Sequence, residues 1–121
     1  MSPDPYSDRV RELFARPGHA GVLEGNCSAA VVDQGVKIRL TAHVRDGRVE
    51  AMAFLAYGCP HVIAAAEAAC AELEGRSAVE LLEFPATGLM QSLSVPVEKT
   101  GRILVLEDAV RSLGRVITEM D

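Results

Sequence analysis

The sequence predicts an α+β domain, a three-stranded antiparallel sheet with helices packed on one face. Three observations carry this. Val36, Ile38, Leu40, Ala42 and Val44 alternate with Lys37, Arg39, Thr41 and His43, the period-two pattern of a strand with one buried and one wet face. Asp46-Gly47 follows at once, and Asp-Gly is a strong two-residue hairpin turn because both central positions take positive φ. Beyond Pro60 the apolar spacing becomes helical, and strands followed by helices without βαβ alternation describe an antiparallel sheet covered on one face.

From the N-terminus, Tyr6 to Ala15 reads as a short amphipathic helix with Val10, Leu13 and Phe14 spaced i, i+3, i+4. Arg16-Pro17-Gly18 ends it, since proline cannot continue the ladder. A first strand is expected at Cys27 to Val32, and a third at roughly Arg48 to Tyr57, where Val49, Met52 and Phe54 supply β-compatible bulk. Pro60 suits the first turn of a helix, whose apolar face is Ile63, Ala66, Cys70 and Leu73. Gly75 stops it. Ser77-Ala78-Val79-Glu80 reads as a capping box opening a short helix. Pro85, Gly88 and Pro96 punctuate the segment after that helix. The last helix is expected at Ile103 to Met120, with Glu107 and Arg111 as a supporting i, i+4 pair.

The chain has 121 residues, 49% of them hydrophobic and 24% charged, which fits one domain spanning 1–121 with a core that needs no disulfide staples. A net charge of -5 speaks against a nucleic-acid binder, which needs a basic face for phosphate, and against an anionic membrane surface. No apolar run approaches the ~20 residues of a spanning helix. Met1-Ser2-Pro3-Asp4-Pro5 lacks the basic and apolar regions of a signal peptide, so the expected compartment is the cytoplasm. The three cysteines match no structural zinc spacing. In a reducing compartment they are free thiols, buried residues or ligands.

Cys59 is the residue that carries chemistry. It ends a strand and precedes Pro60, at a helix N-terminus where unpaired N–H groups and the dipole favour an anion and lower a thiol pKa. Gly58 leaves the backbone free to turn there. The alternative is a small buried hydrophobe, the commonest fate of a free cysteine. His61 makes a Cys-x-His pair that would offer a metal two ligands. However, residues 59 and 61 point in different directions on a helix, and an exposed polar histidine is the reading favoured. His43 on the wet strand face and His19 in a Gly-rich loop read as solvated. Cys70 shares the apolar helix stripe and reads as core, and Cys27 in the first strand as structural. Asp33 lies between strands and is either a turn residue or a carboxylate ligand.

Tyr57-Gly58-Cys59, followed by Pro60-His61-Val62-Ile63-Ala64-Ala65, resembles the second cysteine motif of the IscU/NifU N-terminal scaffold family, where a strand ends in Tyr-Gly-Cys and an Ala/Ser-rich helix starts. Four further stretches stand in the family's order. Tyr6-Ser7-Asp8-Arg9-Val10 to Pro17-Gly18 is similar to its opening helix and Asn/Arg-Pro loop. Gly47 to Phe54 is like its hairpin and third strand, Gly75-Arg76-Ser77 like its Gly-Lys-Ser turn, and Leu106-Glu107-Asp108-Ala109-Val110 like the Ala-Glu-Asp-Ala-Ile of its last helix. The resemblance implies an IscU/SufE-like fold and a scaffold or carrier, not an enzyme, in iron–sulfur cluster assembly. Its expected cargo is iron or a [2Fe–2S] cluster, zinc in its place, or none. Its partners would be a cysteine desulfurase and other cluster-assembly proteins.

Family members hold the cluster with three cysteines plus an aspartate or histidine, soft thiolates suiting that iron. Carried over by position, only Cys59 survives. The family's Cys-Gly-Asp motif falls on Asp33-Gln34-Gly35, so its cysteine becomes Asp33 and its aspartate Gly35. Its His-Cys motif falls on Gly101-Arg102. Its Leu-Pro-Pro-Val-Lys stretch, which binds a chaperone, is partly matched by Val95-Pro96-Val97-Glu98-Lys99. Arg102 puts a fixed positive charge where a thiolate belongs, unfavourable beside iron or zinc but suited to lowering the pKa of Cys59. The resemblance leaves three roles open: an atypical iron or cluster site of Cys59 and Asp33, shared across a homodimer; a relay in which Cys59 accepts a persulfide; or an interaction module that regulates assembly.

Overall fold

The computed structural model describes residues 6–120. The expectations for Met1 to Pro5, and the outer limits of a 1–121 domain, lie outside the described residues. Helix α1 (Asp8–Ala15) leads to strands β1 (Cys27–Asp33), β2 (Val36–Arg45) and β3 (Arg48–Tyr57), then to helices α2 (Pro60–Leu73), α3 (Ala78–Leu82), α4 (Thr87–Ser92) and α5 (Thr100–Thr118). The strands form one antiparallel sheet in the order β1-β2-β3. Among the described residues no helix is long and apolar enough to cross a membrane.

Two turns of one kind set the sheet. Gln34 and Gly35 have φ of 54° and 72°, and Asp46 and Gly47 have 53° and 74°. Positive φ at both central positions matches the right-handed twist of the flanking strands. The register then runs Asp33 opposite Val36 and Arg45 opposite Arg48. Val36, Ile38, Leu40, Ala42 and Val44 are buried on the inner face. A shift at His43/Val44, where Val44 pairs Val49 and His43 pairs Ala51, leaves Glu50 unmatched, as in a β-bulge. The bulge moves the inward positions of β3 from odd to even numbers, so Val49, Met52 and Phe54 all face the core.

Helices α2 and α5 cover this face, α2 against β3 and α5 against β1 and β2. Ile103, Leu106, Ala109, Val110, Leu113 and Ile117 supply the stripe of α5, which starts three residues before the expected Ile103 and stops two short of Met120. Helix α2 is buried nearly all round, through Val62, Ala64, Ala65, Ala66, Ala69, Cys70 and Leu73, because α1 packs on it from outside the sheet. The single stripe read from the sequence is too narrow for a helix covered from two sides, and Ile63 on that stripe is only partly buried. In α1, Val10 and Leu13 are buried but Phe14 is exposed, since so short a helix meets α2 along one line. Gly88, read as punctuation, lies inside α4, where a side chain would meet open space.

Polar links fix the periphery. The capping box of α3 is formed, the Glu80 carboxylate accepting from the Ser77 N–H at 2.8 Å. Glu107 accepts from the Ala86 N–H at 3.0 Å and stands 3.6 Å from Arg111, which donates to the Phe84 carbonyl. This pair pins the segment between α3 and α4 to α5. His19 is not the solvated loop histidine expected. Its Nδ1 meets Glu67, its Nε2 meets Glu74 at 2.9 Å, and its backbone N–H donates to Glu67. Glu67 is buried and needs partners, and the loop supplies both. Glu74 also accepts from the Met52 N–H at 3.2 Å.

Burial alone would lower the His19 pKa, but the hydrogen bonds and charges of Glu74 and Glu67 outweigh it and raise it above 6.5. The folded chain therefore holds the proton more tightly than the unfolded one, and the stabilisation is complete below the unfolded value and fades as pH climbs through the folded value. Urea titrations of native protein and His19→Gln should differ most below about pH 6.5 and converge in alkaline buffer. Gly114 offers a packing test: a Cβ there would lie 2.9 Å from the Leu82 nitrogen and 3.1 Å from the Leu81 Cβ. Gly114→Ala should cost about 1–3 kcal/mol in overpacking, partly offset by about 1 kcal/mol of helix propensity, giving a net loss in urea melts.

Candidate functional site

Strand β3 runs directly into α2 through Gly58 and Cys59. A Cβ on Gly58 would sit 3.2 Å from the Val62 Cβ. Glycine is there for the close approach of strand end and helix, not for the positive φ that its turn position suggests. Cys59 is the N-cap of α2, extended at φ -80° and ψ 168°. Its carbonyl accepts from the Val62 N–H at 3.0 Å and the Ile63 N–H at 3.2 Å. The residue is half-buried.

Burial pushes the Cys59 thiol up, but it is outweighed by the Val62 amide, the Arg102 guanidinium, the His61 amide and the Lys99 charge, which leave it below the ordinary cysteine value. Both amides belong to the first turn of α2, where the N–H groups have no carbonyl a full helical turn behind them. Lys99 and Arg102 come from the start of α5, so the α2 and α5 N-termini meet at this sulfur. The β1–β2 turn reaches the same end of the molecule: a Cβ on Gly101 would lie 3.8 Å from the Gln34 Oε1. The neighbourhoods of Asp33, Cys59 and Arg102, far apart in sequence, thus gather at one end of the sheet.

The individual residues fare differently. Asp33 is exposed at the end of β1, and its Oδ1 accepts from the Gln34 N–H at 2.9 Å, a turn contact. His61 is not exposed as expected. It is 1% exposed, neither ring nitrogen has a hydrogen-bond partner among the described residues, and its ring packs against Tyr6 with centroids 4.8 Å apart. Tyr6, ahead of α1, covers it. Burial, and the Lys99 charge over the opposing Glu98, hold it below the ordinary histidine pKa, so it is a neutral ring at pH 7. His43 is exposed on the outer sheet face, 3.6 Å from Glu50. Cys27 is buried with its Sγ 3.7 Å from the Ala42 carbonyl. Cys70 is fully buried, its thiol pushed up by burial and by the charges of Glu67 and Glu74. The cluster of His19, Glu67 and Glu74 escaped sequence reasoning because its partners are some fifty residues apart; a glutamate in the middle of the Ala-rich α2 and another seven residues on, at its C-cap, were the available signal.

A model of the NifU-like N terminal domain matches residues 5–113. The chain belongs to the NifU-like N-terminal domain family. It is 28% identical over 112 residues to the iron-sulfur cluster assembly protein IscU of Plasmodium falciparum, covering 88% of this chain and 69% of that protein. It is 27% identical over 117 residues to the iron-sulfur cluster assembly scaffold protein IscU of Azotobacter vinelandii, covering 91% of each. Among solved structures, a NifU-like N-terminal protein from Brucella abortus superposes with a TM-score of 0.73 at 21% identity over 95% of both chains. This is the three-stranded antiparallel sheet with packed helices expected from the sequence.

A cluster held by this family member would be cargo, and the residues present do not fit a complete cage for it. Among the described residues no three His, Cys, Asp or Glu side chains group as metal ligands. Gly35 and Gly101 offer no side chain, and Arg102 brings positive charge. What the site offers is one thiol whose ionisation is favoured by helix amides and two cations.

Alkylation by iodoacetamide, followed by mass spectrometry, should modify Cys59 first and Cys70 last under native conditions. Arg102→Gln should move the Cys59 pH–rate curve to higher pH, because the lost guanidinium had favoured the thiolate. Equal rates at Cys59 and Cys70, or an unmoved curve, would show the geometry to be chemically silent.

Proposed function

We propose that this chain works in iron–sulfur cluster assembly as a carrier whose chemistry runs through Cys59, accepting sulfur from a cysteine desulfurase and handing it on. The observation that carries the reading is a single half-buried thiol whose ionisation is favoured by the Val62 and His61 amides and by Arg102 and Lys99, in a fold that gathers no set of companion ligands among the described residues. Sulfur transfer needs one accessible low-pKa thiol, whereas a cluster needs four ligands. In the proposed step the Cys59 thiolate attacks the terminal sulfur of the donor's persulfide. A new S–S bond forms at Cys59 as the donor's S–S bond breaks, and the donor leaves as a thiolate, so no oxidant or reductant is consumed. Arg102 and the α2 amides stabilise the anion before transfer and the persulfide anion after it.

A second reading is favoured by the approach of the Asp33 turn to the start of α5. Two chains would pool two Cys59 thiolates and two Asp33 carboxylates around iron or a [2Fe–2S] cluster. His61 cannot join as a ligand without moving Tyr6 off its ring. A role as a docking module that regulates assembly is the outcome if Cys59 proves dispensable.

Intact-mass spectrometry after incubation with a cysteine desulfurase and cysteine should show added sulfur, abolished in Cys59→Ser. Retention of the adduct in that variant would sink the relay. Titration with zinc or ferrous iron should show weak binding to the native chain, since each missing ligand is replaced by water. The triple variant Asp33→Cys, Gly35→Asp, Arg102→Cys should bind much more tightly. Tight stoichiometric binding by the native monomer, unaffected by Cys59→Ala, would contradict this reading of the site.

A further inference from the structure

The outward face of the sheet carries a pattern that cluster or sulfur chemistry does not use. Cross-strand neighbours in register project to the same side. The register gives Val32–Lys37–Tyr57 in one row and Ala30–Arg39–Leu55 in the next. Each row is a cation between apolar neighbours, and Val32, Leu55 and Tyr57 are 70%, 45% and 75% exposed. Lys37, Arg39, Leu55, Ala56 and Tyr57 line a shallow depression of about 320 Å³. The two ends of this face are treated oppositely. At the far end, His43 and Arg45 are within 3.6 Å and 3.8 Å of Glu50. At the end beside Cys59, Lys37 and Arg39 form no ion pair among the described residues, in a chain of net charge -5. Tyr57 is two residues from Cys59.

We propose that this face docks a partner protein through an extended acidic segment with apolar flanks, its carboxylates meeting Lys37 and Arg39 and its apolar side chains covering Val32, Leu55 and Tyr57. Charge selects this occupant. A second copy packing the same face about a two-fold axis would bring two Lys37 and two Arg39 side chains together, and like charges directly opposed are destabilising. A nucleic acid would need more cations than two, since affinity for phosphate grows with each one neutralised. The docked segment would lie alongside Cys59, bringing its protein to the thiol whatever chemistry Cys59 performs.

The test uses the full chain and dye-labelled synthetic peptides, read by fluorescence anisotropy. A peptide alternating aspartate and leucine should bind, and added salt should weaken it. Its lysine–leucine counterpart should not bind, and an aspartate–serine version should bind about tenfold more weakly. The pair Lys37→Glu, Arg39→Glu and, separately, the pair Leu55→Ser, Tyr57→Ser should each weaken binding about tenfold or more, while Arg45→Glu at the far end should have little effect. All these residues are exposed, and thermal melts by circular dichroism would confirm that each variant folds. Equal binding of the lysine–leucine peptide, or indifference to both pairs of substitutions, would overturn the proposal. So would tighter binding of a single-stranded oligonucleotide at the same residues, or a concentration-dependent dimer that Leu55→Ser dissolves.

Discussion

The molecule depends on the sheet register, and the register depends on two turns whose central residues all take positive φ. Gln34-Gly35 and Asp46-Gly47 each close a two-residue hairpin, and a slip of one residue at either would turn a whole strand inside out. With the register set, five alternate residues of β2 form the floor of the core on which α2 and α5 pack. The Cys59 site is a corollary. It lies where β3 ends, α2 begins and the start of α5 arrives, so its three contributors are placed by the sheet and not by contacts of their own.

Electrostatics then decides what the placement can do. The relatives from Plasmodium falciparum and Azotobacter vinelandii carry cluster-assembly names, and this chain keeps the family's fold while carrying Asp33, Gly35, Gly101 and Arg102 at four of the five positions that the resemblance marks as ligands. Arg102 does not merely leave a gap. Together with Lys99 and two helix amides it favours the sulfur as an anion, against the burial that opposes it. The same substitution that works against a metal cage strengthens a nucleophile. Buried Cys27 and Cys70 are pushed the other way, so Cys59 is the thiol whose ionisation the fold favours.

Local rules made most of the fold legible. Alternation marked β2, Asp-Gly the β2–β3 turn, and Ser77 with Glu80 the start of α3, because each depends on residues a few positions apart. The features that were not legible depend on distant partners. The all-round burial of α2 comes from α1 packing on its far side, and the burial of His61 from Tyr6, fifty-five residues earlier. The His19 clamp joins a loop to two glutamates of the α2 region. At the site, Cys59 was found from its helix-start position and its resemblance, and the pairing with Arg102 from the resemblance alone, since no spacing rule joins residues forty-three apart.

The distribution of thiols has a consequence for the life of the protein under oxidative stress. Cys27 and Cys70 are both buried in the core, so a sulfenic acid formed at Cys59 finds no accessible resolving cysteine among the described residues. Its reversible exits are a small thiol such as glutathione or a cysteine on another polypeptide. A lasting cross-link of the described domain is therefore intermolecular and passes through Cys59. Two oxidised copies would be joined at the mouths of their own sites, each occluding the other until a reductant parts them.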